Sequence, residues 1–330
     1  MMRKLIVSIL IAFNCAFVHA QDMQFSQYFQ APMYLNPAFA GANVCARVSS
    51  NFRVQWPSIS NGYSSQILAL DHFYPNINMG AGLMFTNDVA GTGRLRTTTG
   101  AAVGAYNFQV NRTLAFRFGL QAGFFQRSVD FNALTFGDQL ARGGAPTSIE
   151  AAPRSVIAPD FATGFLAYSG MWWGGIALHH LNRPDEALMS FNAFRPLKFS
   201  LHGGKSWYMK KESDYDKNSK QISFTFNYRS QLKYDQLDLG TYYSKGPLNI
   251  GLWYRGIPIF KSYKKGYPNN DAVCVIIGMT KDRFKMGYSY DHTISWLRGT
   301  TGGAHEFSLS YQMCKQKKRK KYSVVICPKF

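Results

Sequence analysis

Ile222-Ser223-Phe224-Thr225-Phe226-Asn227-Tyr228-Arg229 is the stretch that decides the fold. Its even members are large and mostly apolar and its odd members polar, and a period of two puts the two classes on opposite faces of a β-strand. A strand between lipid and a wet lumen requires that pattern. The alternation returns at Leu114, Phe116, Phe118 and Leu120, at Leu248, Ile250, Leu252 and Tyr254, at Phe284, Met286, Tyr288 and Tyr290, and at Phe307, Leu309 and Tyr311. A soluble sandwich also alternates. The number and length of these runs, and the Tyr or Phe near so many ends, favour a membrane barrel.

Working outward, such segments fall at 44–56, 63–73, 79–88, 94–107, 113–128, 160–169, 171–181, 197–209, 220–230, 236–245, 247–256, 271–281, 283–291 and 304–313. The chain is thus predicted to be all-β: a transmembrane antiparallel β-barrel of about 14 strands, an even number as single-chain bacterial barrels usually have. Gly170, Gly246-Pro247 and Asp282 read as periplasmic hairpin turns, and 129–159, 182–196, 210–219 and 257–270 as loops of the outer face.

Composition agrees. The chain of 330 residues holds 26 Phe, 19 Tyr, 6 Trp and 29 Gly, the residues that closed barrels use for aromatic girdles and tight turns. Its 37 basic against 18 acidic side chains give a net charge of +19. The bases are mostly scattered singly through strand-like segments, with one dense exception at the C-terminus, and no nucleic-acid-binding module is present, so no nucleic-acid partner is expected.

Residues 1–20 read as a signal peptide: Arg3 and Lys4, an apolar run from Leu5 to Phe17, and Val18-His19-Ala20 as cleavage site. No later run is long and apolar enough for a transmembrane helix. Residues 21–43 carry Phe25, Tyr28, Phe29, Tyr34 and Phe39, an aromatic content that favours a plug folded back into the lumen over a free segment. Residues 44–314 make the barrel, and residues 315–330 a basic periplasmic tail with Lys317, Lys318, Arg319, Lys320 and Lys321. A basic run is usually a solvated tail. The apolar, β-branched residues that follow this one suit a docking segment for a periplasmic partner, and these five residues are the candidate contacts.

Little points to catalysis. His179-His180 with Asp185 and Glu186 are the nearest thing to a metal site, but neighbours on a strand face opposite ways, one to lipid and one to the lumen. No spacing singles out a Ser–His pair, so no catalytic residue, metal or cofactor is assigned. Gly91-Thr92-Gly93 and Gly302-Gly303 are turn residues, and Met171-Trp172-Trp173 reads as an interfacial girdle. Of the cysteines, an oxidising compartment permits a Cys314–Cys327 bridge, which sequence alone does not establish.

Gln24-Phe25-Ser26-Gln27-Tyr28 and Asn36-Pro37-Ala38-Phe39-Ala40-Gly41 resemble the opening signature of the PorP/SprF family of the type IX secretion and gliding systems. The resemblance continues at Phe136-Gly137-Asp138-Gln139, Gly287-Tyr288-Ser289-Tyr290-Asp291, Thr293-Ile294-Ser295, Gly302-Gly303-Ala304-His305-Glu306-Phe307-Ser308-Leu309 and Cys327-Pro328-Lys329-Phe330. Ala304 departs from the Ser more usual before His-Glu. The resemblance implies an outer-membrane barrel that assists secretion or surface anchoring of proteins with a type IX C-terminal domain, such as adhesins. Its implied partners are that cargo, the type IX machinery subunits and membrane lipid. The alternative is an outer-membrane channel or transporter for a small hydrophobic or polar solute.

Overall fold

A computed structural model describes residues 22–43, 45–111, 113–144, 147–149, 155–189, 192–210, 220–264 and 267–313. The expected signal peptide and basic tail, including Lys317–Lys321, lie outside the described residues, as do Cys314 and Cys327.

Fourteen antiparallel strands follow in chain order: β1 Arg47–Gln55, β2 Tyr63–Tyr74, β3 Met79–Ala90, β4 Leu95–Gln109, β5 Leu114–Ser128, β6 Val156–Ser169, β7 Trp172–His179, β8 Lys198–Lys210, β9 Lys220–Gln231, β10 Tyr234–Lys245, β11 Leu248–Lys264, β12 Tyr267–Lys281, β13 Phe284–Thr293 and β14 Ala304–Gln312. Each pairs with its neighbours in sequence, and β1 pairs with β14 from Arg47↔Gln312 to Gln55↔Ala304, which closes the barrel. Closure leaves no open sheet edge, the condition for a sheet to cross lipid.

The burial pattern is inverted relative to a soluble protein. In β9, Ser223, Thr225 and Asn227 are buried while Ile222 and Phe224 are exposed. Leu83, Phe124, Leu252 and Phe307 are each more than half exposed on the outer wall. Side chains that hydrocarbon favours thus face out, and those that need partners face in.

Alternation of direction fixes which connections share an end. One end, here called the near end, carries the start of β1, the finish of β14 and the turns at Gly170, Gly246-Pro247 and Asp282. The far end carries the long connections β5–β6, β7–β8 and β13–β14. Two expected outer loops need correction. The β8–β9 connection, expected at 210–219 on the outer face, opens from the near end, because β8 runs toward it. The segment 257–270 is mostly strand: β11 and β12 extend as a ribbon past Gly256, where the register shifts and φ is +145°. Cys274 is buried with a free thiol, and Cys45, just before β1, is disulfide-bonded.

Candidate functional site

The lumen is not wet, as a bare barrel would be; residues 22–43 fill much of it. From Asp22 at the far end the segment descends to Phe29, climbs through a one-turn helix, α1 (Pro32–Leu35), and descends again through a 3-10 turn at Pro37–Phe39 to Gly41 at the near end. Prolines open both turns, where a missing N–H costs nothing. Two barrel glycines make room: a Cβ on Gly119 would overlap the Ala38 amide, and one on Gly164 would overlap the Asn36 side chain.

Three sets of contacts lock this plug. At mid-height, Ser26 Oγ accepts from Arg53 Nη1 at 2.8 Å and Arg255 Nη2 at 2.8 Å, and donates to Asp291 Oδ2 at 2.6 Å. The Ser26 and Gln27 amides donate to the two oxygens of Glu306 at 2.6 and 3.1 Å. Gln27 Nε2 donates to Ser289 Oγ and to the Glu306 carbonyl, while its Oε1 accepts from Ser308 Oγ at 2.6 Å. Behind them Arg255 Nε reaches Asp238 at 3.1 Å, and Asp238 also accepts from Arg229 at 3.0 Å. Three guanidinium groups thus face three carboxyl groups in a buried network, the arrangement that offsets the cost of removing charge from water.

At the far end Asp22 meets Arg195 Nη2 at 2.7 Å, Lys198 Nζ at 2.7 Å and His180 Nε2 at 2.8 Å. Burial alone would raise the Asp22 carboxyl pKa; Arg195, His180 and Lys198 together overcome that and hold it well below its ordinary 3.8. His180 Nδ1 faces Asp160 at 2.9 Å. Tyr34 packs under Lys198, with Nζ 4.8 Å from the ring centre, and donates to the Met23 carbonyl at 2.7 Å.

At the near end the Gly41 amide donates to Asp71 at 3.0 Å, and Arg47 holds the other Asp71 oxygen at 2.9 Å. Arg117 donates to the carbonyls of Ala38 and Ala40. Asn36 donates to the Phe165 and Ile176 carbonyls at 3.1 and 3.0 Å. These satisfy backbone groups that a short irregular segment could not pair by itself.

Apolar contacts complete the site. Phe25, Ala31, Met33 and Ala40 pack on Ile67, Ala69, Met84, Ala101, Val103 and Ala105 of β2–β4. Phe29 meets Trp173, Tyr242 and Trp253 at ring-centre distances of 5.6 to 5.9 Å, and Phe39 meets Trp173 at 5.8 Å.

Two sequence expectations change here. Trp173 does not join the girdle; it faces in and is buried under the plug, while Met171 and Trp172 are exposed. His179 and His180 do not face opposite ways: β7 ends at His179, and His180 takes a φ of +62°, which turns its ring inward too. Asp185 caps the Ala187 and Ala193 amides and Glu186 pairs with Arg127, so the four do not converge.

The family signature acquires a physical meaning. Gln24–Tyr28, Gly287–Asp291 and Ala304–Leu309 are far apart in sequence and meet at the mid-height lock, and Asn36–Gly41 forms the near-end contacts. Phe136–Gln139 lies in the β5–β6 loop, where Gln139 accepts from the Phe136 amide at 2.8 Å. Asp138 there is lowered to about 2 by the Ser148 hydroxyl, against partial desolvation, with help from the Ile149 amide and Arg142. Sequence reading missed Arg53, Arg255, Asp238, Asp22, Asp71 and Arg117. One signal was available: Ile67-Leu68-Ala69-Leu70 and Ala101-Ala102-Val103 are apolar on both faces, which an empty polar lumen would not allow.

This arrangement holds a peptide segment, with arginines and carboxylates paired around it. Solved structures with similar folds are outer-membrane barrels. The monoaromatic hydrocarbon channel CymD aligns with a TM-score of 0.50 at 12% identity, covering 87% of this chain and 94% of its own. The toluene transporter TbuX of Ralstonia pickettii aligns at 0.46 and 10%, with the same coverage of 87% and 94%. BamA from Haemophilus ducreyi lacking POTRA domains 1–3 aligns at 0.40 and 8%, covering 82% and 70%. At this identity the likeness to CymD shows the barrel fold alone. No curated protein matches the sequence. A family model described as type IX secretion system membrane protein PorP/SprF matches residues 17–311, most of the chain. The chain is an outer-membrane β-barrel that belongs to the PorP/SprF family of type IX secretion system membrane proteins.

Proposed function

We propose that this barrel assists secretion or surface anchoring of proteins bearing a type IX C-terminal domain, adhesins among them, by binding partners at its two ends. The observation that carries this reading is the filled lumen: with Phe25, Ser26, Gln27, Asn36 and Phe39 all buried inside, the surfaces left for function are the mouths. At the far mouth Leu140, Ile149, Met189 and Trp296 are exposed by more than 60%, on loops where water gives no reason for them. Loop 129–159 is the proposed contact for a surface protein. Lys317, Lys318, Arg319, Lys320 and Lys321 are the proposed contacts for periplasmic machinery, and an acidic surface is the kind they would complement.

The test is purification of a tagged copy from outer membranes in mild detergent, with mass spectrometry of what accompanies it. Recovery of a large surface protein or of machinery subunits supports the reading. Deleting 315–330 should reduce the machinery subunits recovered, and undiminished recovery would remove the tail from the proposal. A partnerless barrel would favour the second reading, a channel or transporter for a small hydrophobic or polar solute. That reading requires the plug to leave, and predicts conductance or solute uptake in reconstituted vesicles.

A further inference from the structure

The direction of the plug carries a consequence for the chain's beginning. Asp22 is held by the end of β7 (His180), the β7–β8 connection (Arg195) and the start of β8 (Lys198), and its amide donates to the last residue of β9, Gln231, at 3.4 Å. All four belong to the far end. Gly41, much closer to β1 in the chain, is held at the near end by Asp71. Below Asp22 the lumen is occupied by the plug's own Met23, Phe25 and Tyr34, packed on β2–β4. Asp22, the first described residue, thus sits at the far mouth, at the opposite end of the lumen from the start of β1.

We propose that the plug is threaded outward, so that the chain end created by signal-peptide removal is presented at the outer mouth, beside the β5–β6 and β7–β8 loops. The proposal rests on the outer-membrane reading, in which the far end with its long loops faces the outside, and on cleavage after Ala20. Two things follow. A partner docking on the outer loops meets the start of the mature chain as part of the same surface. Seating of Asp22 among Arg195, Lys198 and His180 also requires prior processing, because an uncleaved precursor would have to carry the apolar run Leu5–Phe17 out through the lumen.

The test inserts a short epitope between Gln21 and Asp22, leaving the cleavage site intact, and compares it with the same epitope after Gly144 in the β5–β6 loop and after Met313 at the near end. Antibody binding is read on intact and on permeabilised cells, and heat-modifiable gel migration confirms that each variant is folded. The expected result is binding to the first two on intact cells, with binding to the third lost unless the cells are permeabilised. Loop binding on intact cells with the N-terminal epitope silent would overturn the threading while leaving the outer-membrane orientation in place. A silent loop epitope with an exposed near-end epitope would overturn the orientation, and the proposal with it. Should the N-terminal epitope prevent folding, a single Cys inserted at the same point and probed with an impermeant maleimide gives the same readout.

Discussion

The two walls of the lumen hold one short segment in opposite ways. On β2–β4, apart from the Gly41–Asp71 hydrogen bond at the near end, the plug is gripped by shape: Phe25, Met33 and Ala40 against Ile67, Ala69, Met84 and Val103, with no direction to the contact. On β1, β11, β13 and β14 it is gripped by Arg53, Arg255, Asp291 and Glu306, each aimed at a particular atom of Ser26 or Gln27 or at a charge beside it. Apolar packing tolerates a slip of the segment along the wall. The charged wall does not, since a slip of one residue leaves buried charges unpaired. The comparison teaches that area holds this plug in place and charge fixes its register.

The comparison can be broken most completely at the glycine that admits the plug. Gly119→Val puts side-chain atoms where Ala38 lies, and the expected outcome is an unseated plug in a closed barrel, seen as protease cleavage within 22–43 while heat-modifiable migration survives. Next in size, Arg255→Met leaves Asp291 and Asp238 short of a buried cation, and should cost about 4 kcal/mol in urea unfolding. It should also lower the yield of an engineered Gln27→Cys, Ser308→Cys cross-link, which reports the register. Phe25→Ala, on the apolar wall, should cost about 3 kcal/mol yet leave that cross-link unchanged; a drop in yield would show that shape also sets the register. Ser26→Ala removes one hydroxyl that two arginines and Asp291 share, and should cost about 2 kcal/mol in the same unfolding measurement.

The smallest effect is one of pH at the far end. Asp22 has a lowered pKa in the folded protein, so its contribution is fully present above the ordinary value of 3.8 and is lost as the pH falls below that toward the folded value. The contribution of the Asp22 carboxylate itself should therefore be unchanged down to about pH 5 and weaken only in stronger acid. Asp22→Asn should flatten that dependence, which proteolysis of the segment at graded pH would measure.

Much of this molecule is legible in its sequence. Alternation in Ile222–Arg229 and its counterparts gave most strand positions within a few residues, though not the extension of β11 and β12 past Gly256, and the parity of each run gave its lipid-facing side. It failed at two positions around β7. His180 follows a strand that has already ended, and Trp173 belongs to the inward set of a strand whose neighbour Trp172 does face lipid. It also placed the β8–β9 connection by its length, when direction of travel decides the end on which a connection falls.

By itself, the sequence determined the period of two, the count of strands and therefore a closed barrel, because a chain with this many apolar-out runs has no other way to satisfy its backbone in lipid. The aromatic opening segment announced that something must cover it. Only the tertiary structure decided what. Ser26 meets Asp291 across 265 residues and Gln27 meets Ser308 across 281, and alternation within one strand carries no information about which inward side chains of distant strands converge. That convergence arises when β1 closes on β14 and brings Arg53, Asp291 and Glu306 around a single serine.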